Sequence, residues 1–168
     1  MGRALAGEPI DRVYASDLRR ARETAEAIAR PHGLTVHADA RLREFHFGAW
    51  EGLTWDEIVA RWPEAEAHGA TGASRFAPEG GETFEAVVER VGAFVRDLYD
   101  RPDRRVVAVA HAGVIHAVLA VVTPILDGER PDPLAVNIAQ ASITRIAMEG
   151  GRARLITLSD VSHLDSPA

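Results

Sequence analysis

Three residues have side chains that could bind or protonate an anionic ligand: Arg20, Glu44 and His111. Arg20 falls near the start of a predicted helix, Glu44 sits among aromatic residues, and His111 ends an apolar run. A guanidinium group is a planar fork suited to phosphate oxygens, and a helix start also attracts anions. Aromatic surroundings desolvate a carboxyl group and raise its pKa, so that it can donate a proton. A histidine at the carboxyl end of a strand lies where open α/β sheets place their ligands.

Each of these residues also has a plainer interpretation. The cluster of arginines around Arg20 is typical of the solvated face of an exposed helix. The carboxylate of Glu44 could form a salt bridge in a surface loop, and His111 could be a core histidine with satisfied partners. The pair Gly80-Gly81 before a helix could bring backbone close to a ligand or could form an ordinary loop. Taken singly, these segments leave both interpretations open.

The elements that must position these residues follow from hydrophobic periodicity and turn signals. Short apolar or alternating runs predict five strands, at Asp11–Ala15, Leu34–His37, Val106–Ala110, Ser142–Met148 and Arg152–Leu158. Helical spacing predicts helices that follow caps at Ser16, Thr54 and Thr83, and one more over Val114–Val122. Pro31 and Gly33 are expected to end the first helix, and Pro63 to end the second.

Strands interleaved with helices predict an α/β fold: a three-layer sandwich with a mostly parallel sheet flanked by helices. The two C-terminal strands alternate around Gly150-Gly151, which indicates an antiparallel hairpin. The continuous apolar run Val106–Ala110 is typical of a strand covered on both faces. The stretch Ala65–Pro78 is rich in small residues and is expected to be irregular.

Length and composition predict one globular domain over residues 1–168, because 46% hydrophobic and 26% charged residues are ordinary proportions. The absence of cysteine excludes a disulfide scaffold and a thiol nucleophile, and it fits a cytoplasmic location. A net charge of -6 argues against general nucleic-acid binding. The uncharged run Val106–Leu126 contains two histidines and a proline. It therefore favours a buried strand and helix over a membrane span.

Taken together, the segments resemble the histidine phosphatase superfamily, also called the phosphoglycerate mutase-like family, over nearly the whole chain. The resemblance rests on four motifs in order: Ser16-x-Leu18-x-Arg20-Ala21-x-x-Thr24-Ala25, Arg41-Leu-Arg-Glu44 with Phe47-Gly48-x-Trp50-Glu51-Gly52, Gly80-Gly81-Glu82, and Ala110-His111-Ala112-Gly113. It implies that Arg20 binds the transferring phosphoryl group, Glu44 protonates the leaving oxygen and His111 contacts the phosphoryl oxygens. It also implies substrate contacts at Ser16, Gly81, Glu82 and Ala112, with no metal and no cofactor.

One family signature is missing from the sequence. The family's first strand carries a Leu-x-Arg-His-Gly segment whose histidine becomes phosphorylated, and no Arg-His-Gly occurs here. Because Gly2–Gly7 resembles the end of the family's first helix, we expect the first strand and the nucleophile to be absent. A fragment or misplaced start, a truncated chain, and a non-catalytic relative that binds phosphorylated ligands stay open. We favour a fragment or misplaced start, because Arg20, Glu44 and His111 all persist.

The resemblance implies a phosphatase that hydrolyses a small phosphomonoester through a phosphohistidine intermediate. A phosphoglycerate mutase is the alternative enzyme, but mutases carry longer insertions, and the short segment Trp62–Pro78 favours hydrolysis. The expected partner is a small phosphorylated substrate rather than nucleic acid or membrane, and a homo-oligomer stays open. Substrate specificity is expected to lie in the variable loop Ala65–Ala77. Trp50, Trp55, Trp62 and Phe76 either line its mouth or pack in the core.

Overall fold

A computed structural model describes residues 1–66, 77–123, 135–150 and 152–165 of the chain. Its strands are β1 (Arg12–Ala15), β2 (Val36–Ala38), β3 (Val106–Val109), β4 (Ile143–Glu149) and β5 (Arg152–Asp160). Its longer helices are α1 (Gly2–Leu5), α2 (Arg19–Ala29), α3 (Trp55–Arg61), α4 (Phe84–Tyr99) and α5 (Ala112–Val122). Single 3₁₀ turns cover Arg30–His32, Ala40–Leu42, Gly48–Trp50 and Ser162–Leu164.

The first three strands form a parallel sheet in the order β2-β1-β3. Val13 lies opposite Val36 on one side and Val107 on the other, so β1 is the central strand of the three. Because parallel strands end at the same edge, the segments that follow β1 and β3 meet there. This arrangement places the start of α2 beside the start of α5.

Helices cover the two faces of this sheet. Val13 and Ala15 pack with α1 and α2 on one face, whereas Tyr14 packs with α4 and α5 on the other. Successive strand residues point to opposite faces, which is why one four-residue strand serves both hydrophobic clusters. The predicted α/β sandwich with a parallel sheet flanked by helices is therefore confirmed.

The C-terminal strands form a separate antiparallel pair. β4 and β5 are hydrogen-bonded along their length, with Ile146 opposite Leu155. Gly150 lies in the turn with φ +56°, a left-handed conformation that glycine adopts without strain. The hairpin predicted around Gly150-Gly151 is therefore confirmed. A bidentate ion pair between Arg145 of β4 and Glu8, at 2.7 Å, ties the hairpin to the N-terminal segment.

One local prediction is wrong, and a second is confirmed only in part. Ser16 does not cap α2: Leu18 is the N-cap residue, and the Ser16 hydroxyl accepts a hydrogen bond from the Leu18 backbone N–H at 3.3 Å. The run Val106–Ala110 packs against the hydrophobic clusters on both faces of the sheet, as predicted, but its residues are only half-buried and Ala108 is exposed. The physical reason is its place in the sheet, because β3 pairs only with β1 among the described residues.

Several predictions fall on segments outside the described residues. These are most of the irregular stretch Ala65–Pro78, Phe76 within it, and the end of the uncharged run beyond Thr123. Among the residues that the structure does describe, no helix has the length and hydropathy needed to cross a bilayer.

Candidate active site

The turn from β1 into α2 fixes the position of Arg20. Ser16 is fully buried, and its backbone N–H donates to the carbonyl of Val109 at 2.9 Å, which anchors the turn to β3. Arg20 then emerges from the first turn of α2, where its side chain is exposed. Its Nε donates to Nδ1 of His111 at 3.3 Å. Apart from this contact, the guanidinium group makes no hydrogen bond or ion pair with the described residues.

His111 lies between β3 and α5 as the N-cap residue of that helix. It is 8% exposed, and its Nε2 is buried without a hydrogen-bond partner among the described residues. Since Nδ1 accepts from Arg20, the neutral ring carries its proton on Nε2. Burial, together with Arg20 and Arg90, lowers the pKa of His111 to about 4. His111 is therefore neutral at pH 7, with a buried N–H group available for an acceptor.

Glu44 reaches the same place from the opposite side. It follows the 3₁₀ turn Ala40–Leu42, in which Leu42 is buried in the core and anchors the loop. Oε1 of Glu44 accepts from the backbone N–H of Phe45 at 3.0 Å. Burial raises the pKa of Glu44, and the opposing influences are the N–H groups of Phe45 and Gly113 and the charges of Arg20 and Arg90. A raised pKa favours a carboxyl group that carries a proton to donate.

Gly113 gives Glu44 its place against α5. A β-carbon at this position would overlap the ring of Phe45 and would lie 2.5 Å from Oε1 of Glu44. Only a residue without a side chain therefore lets the carboxylate approach the start of the helix and accept a hydrogen bond from the Gly113 backbone N–H. Arg20, His111 and Glu44 thus converge on one edge of the sheet, the edge at which β1 and β3 end.

The expected substrate-binding residues take different positions. Ala112 is the first residue of α5, so its backbone lies at the start of the helix, and its side chain is exposed. Gly81 donates its N–H to the carbonyl of Pro78 at 2.8 Å. Glu82 forms an ion pair with Arg90 at 2.8 Å, and its second oxygen accepts from the backbone N–H of His46 at 3.0 Å. Both oxygens of Glu82 are therefore engaged by protein, and direct substrate contacts of these residues stay predictions.

Burial raises the pKa of Glu82, but the Arg90 guanidinium and the His46 N–H outweigh it and lower the pKa overall. Arg90 is a residue that sequence reasoning missed, since nothing local distinguishes it from the other charges on α4. Gly113 was part of a recognised motif, but its packing against Glu44 depends on a loop about 70 residues away in the sequence.

The tryptophans pack mainly as a small hydrophobic cluster. Trp50 is buried with Ile58, and Trp55 and Trp62 pack against them. A shallow cavity of about 270 Å³ lies beside the cluster and is lined by Phe47, Trp50, Glu51, Gly52, Leu53, Trp55 and Ile58. Within the described part of the chain, no group of three His, Asp or Glu side chains is arranged to hold a metal ion.

Several known proteins with similar sequences are named as phosphatases. Glucosyl-3-phosphoglycerate phosphatase of Mycobacterium tuberculosis is 42% identical over 117 residues, which are 64% of this chain and 52% of that protein. The chain thus spans about half the length of the curated relatives that it matches first.

Solved structures also resemble this chain. YhfR of Bacillus stearothermophilus has a TM-score of 0.85 at 32% identity, over 98% of this chain and 81% of that one. The mycobacterial glucosyl-3-phosphoglycerate phosphatase in complex with inorganic phosphate has a TM-score of 0.81 at 32% identity, over 95% of this chain and 82% of that one. The model of the histidine phosphatase superfamily, branch 1, matches residues 1–161. The chain belongs to that superfamily.

Proposed function

We propose that this chain provides the phosphoryl-binding and acid groups of a phosphomonoesterase that works through a phosphohistidine. The observation that carries the proposal is the 3.3 Å contact between Arg20 and His111 beside the half-buried Glu44. These residues come from three separate segments and meet at the edge where β1 and β3 end. A cation, a buried N–H donor and a proton-carrying acid are the groups that phosphoryl transfer needs.

In the binding step, the free end of the Arg20 guanidinium and Nε2–H of His111 donate to oxygens of the phosphoryl group. The buried, unpartnered state of Nε2 supports this role, because a bound oxygen would satisfy a donor that otherwise lacks a partner. The backbone N–H groups at the start of α5 add positive potential at the same place. Negative charge that develops on the phosphoryl oxygens is therefore met by fixed donors.

In the chemical step, a histidine nucleophile forms an N–P bond while the P–O bond to the leaving alcohol breaks. Glu44 in its protonated form gives its proton to the leaving oxygen. A water molecule then attacks the phosphohistidine, the N–P bond breaks, and the Glu44 carboxylate takes the proton of that water. A positioned acid and base of this kind contributes about 10²–10⁴ in rate.

The nucleophile of this scheme is the histidine of an Arg-His-Gly segment, which the printed sequence does not contain. We assign it to residues outside this sequence. The alternative is a non-catalytic relative that binds phosphorylated ligands with the same Arg20 and His111. Inspection of the coding sequence upstream of Met1 decides between the enzyme and the non-catalytic relative. An in-frame Leu-x-Arg-His-Gly supports the enzyme, and its absence contradicts our assignment.

The proposed substrate is a small phosphomonoester. The M. tuberculosis relative is named for glucosyl-3-phosphoglycerate, and a phosphorylated organic acid or sugar is the class that we carry over. The proposed substrate-binding residues are Ser16, Gly81, Glu82 and Ala112, and no metal is proposed to take part. We also propose a cytoplasmic protein of one domain that acts on free metabolites rather than on nucleic acid or membranes.

Titration with inorganic phosphate tests the binding half of the proposal without any turnover. Isothermal calorimetry is expected to detect phosphate binding that Arg20→Met weakens by about tenfold or more, since a hydrogen bond to a charged group is lost. Arg19→Met is the matched control, because Arg19 is exposed and, among the described residues, pairs only with Glu23 of its own helix. Equal losses in the two variants would contradict the assignment of Arg20.

Hydrolysis of para-nitrophenyl phosphate tests the catalytic half. The chain extended by the upstream segment is expected to hydrolyse the ester, and replacement of that segment's histidine is expected to abolish activity. Phosphate binding without any hydrolysis by the extended chain would instead support a non-catalytic binding protein.

A further inference from the structure

Arg90 of α4 contacts both loops around Glu44: residues 41–47, called the acid loop, and residues 78–82, called the glycine loop. Its Nη1 donates to the carbonyl of Arg41 at 2.6 Å, and its Nη2 donates, at a longer 3.4 Å, to the carbonyl of Glu44. The same guanidinium group holds Glu82 through Nε and Nη2, at 2.8 and 3.0 Å. One partly buried side chain thus joins the start of the acid loop, Glu44 itself and the glycine loop. These contacts of Arg90 are called the clamp.

The two loops are also joined directly, through Glu82. Oε2 of Glu82 accepts from the His46 N–H at 3.0 Å, and the Glu82 N–H donates to the His46 carbonyl at 2.8 Å. The His46 ring lies 3.0 Å from the carbonyl of Gly80. Glu44 therefore lies in the chain between two residues whose backbone groups are hydrogen-bonded, Arg41 and His46. The Arg41 carbonyl accepts directly from Arg90, whereas the His46 N–H donates to Glu82, which Arg90 holds in turn.

We infer that Arg90 is the positioning residue for Glu44: its guanidinium fork fastens the acid loop and the glycine loop to α4 and so aims the carboxyl group at the phosphoryl site. This inference deepens the proposed function and depends on it for the role of Glu44. A guanidinium group suits the task because it offers five donors in a fixed plane, which a lysine cannot reproduce. The anchor is also rigid, since α4 has four buried residues in the main core: Val87, Val91, Phe94 and Val95.

Arg90 does not act by charge alone. The charges that lower the pKa of Glu44 are those of Arg20 from α2 and Arg90 from α4, and Arg20 has the larger influence. His111 before α5 is the other titratable group at the site. A substitution that keeps the charge of Arg90 but removes its fork therefore separates positioning from electrostatics. Arg90→Lys is that substitution, and Arg90→Met removes both properties.

The test measures the loop and the acid without turnover. Amide hydrogen exchange at His46 reports the order of the loop, and ¹³C spectra of carboxyl-labelled glutamate report the pKa of Glu44. Arg90→Met is expected to accelerate His46 exchange by about tenfold and to raise the pKa of Glu44. Arg90→Lys is expected to accelerate exchange to a similar degree but to leave that pKa near the wild-type value. Arg96→Met, which changes an exposed arginine of the same helix, is expected to change neither.

Equal exchange rates in Arg90→Met and Arg96→Met would overturn the inference, as would full protection in Arg90→Lys. If Arg90→Met does not fold, Glu82→Gln decides: it leaves the carbonyl contacts of Arg90 in place but removes the charged acceptor of His46. Faster exchange at His46 in that variant supports the clamp, and unchanged exchange contradicts it. Phosphate binding through Arg20 is measured separately, so a failure of the clamp and a failure of the proposed function give different results.

Discussion

At the scale of single residues, the site combines a cation, a neutral imidazole and a half-buried acid, and each state has a local cause. The His111 ring is neutral because it is buried next to Arg20 and Arg90. Burial also raises the pKa of Glu44 against the influence of neighbouring N–H groups and cations. The same physical factor, desolvation, therefore disfavours the charged form of both groups.

The depressed pKa of His111 predicts a loss of stability in acid. The pKa falls from 6.5 in the unfolded chain to about 4 in the folded protein. The stabilising contribution is thus fully present above pH 6.5 and is lost as the pH falls toward 4, because only the unfolded state binds the proton in that range. Urea unfolding at pH 7 and pH 4.5 is expected to show about 2–3 kcal/mol less stability from this group at the lower pH.

His111→Gln is the variant that isolates this contribution. It removes the titrating group, so the difference in unfolding free energy between the two pH values is expected to shrink by the same amount. His32→Gln, which alters a histidine outside the site, serves as the control. An undiminished difference in His111→Gln would show that the ring is not buried as described.

Gly113 predicts a steric effect on the acid. In Gly113→Ala, the new methyl group overlaps the Phe45 ring and Oε1 of Glu44, so the loop must move or strain must build up. We expect a loss of about 1–3 kcal/mol in the free energy of unfolding, measured with urea. Gly92→Ala is the matched control: it is also a helical glycine, but its methyl group would meet only the flexible end of Arg96 at 3.3 Å and Val121 at 3.6 Å. A smaller loss for Gly113→Ala than for Gly92→Ala would contradict this packing.

At the scale of secondary-structure elements, α4 carries the clamp, and its start is capped locally. The Thr83 hydroxyl accepts from the Ala86 N–H at 3.1 Å. Thr83→Ala is expected to lower the free energy of unfolding by about 1 kcal/mol, because the helix loses its cap. Urea unfolding measures the change, and Thr83→Ser, which keeps the hydroxyl, is expected to retain most of the stability. Equal stability of the alanine variant and the wild type would rule out a capping role.

The sequence was sufficient for the elements whose signals are local. The apolar stripe of α4, the capping box at Thr54 and the turn at Gly150 all depend on residues within a few positions of one another. The start of α2 was misplaced because a buried hydroxyl at Ser16 serves the turn rather than the helix. Exposure of β3 could not be predicted from its composition, since it depends on which strands pair with it.

The site residues also divide into features that local sequence signals predict and features that depend on the fold. Arg20, Glu44 and His111 could be selected by residue type and motif, whereas their common location required the parallel order of β1 and β3. The role of Arg90 could not be predicted, because two of its partners, the carbonyls of Arg41 and Glu44, lie 49 and 46 residues away in the sequence. Long-range hydrogen bonds of this kind leave no periodic pattern in a single sequence.

At the scale of the whole molecule, the exposed apolar strands predict self-association. β3 has no strand on its second edge within the described residues, and Leu155 and Ile156 of β5 are 38% and 45% exposed. Unpaired edges and exposed apolar strand residues favour pairing between copies. Sedimentation velocity is expected to show a sedimentation coefficient that increases with protein concentration. Ile156→Lys is expected to reduce this increase, and a monomer at every concentration would contradict the prediction.

Arg20, Glu44 and His111 are proposed to surround one phosphoryl group. The most direct measurement is a titration with orthovanadate, an analogue of the transferring group, followed by ¹⁵N signals of the histidine rings. We expect the Nε2 signal of His111 to shift with saturation, the signal of His32 to stay unchanged, and Arg20→Met to weaken the response. Saturating vanadate that leaves His111 unchanged, or shifts both histidines equally, would contradict the account.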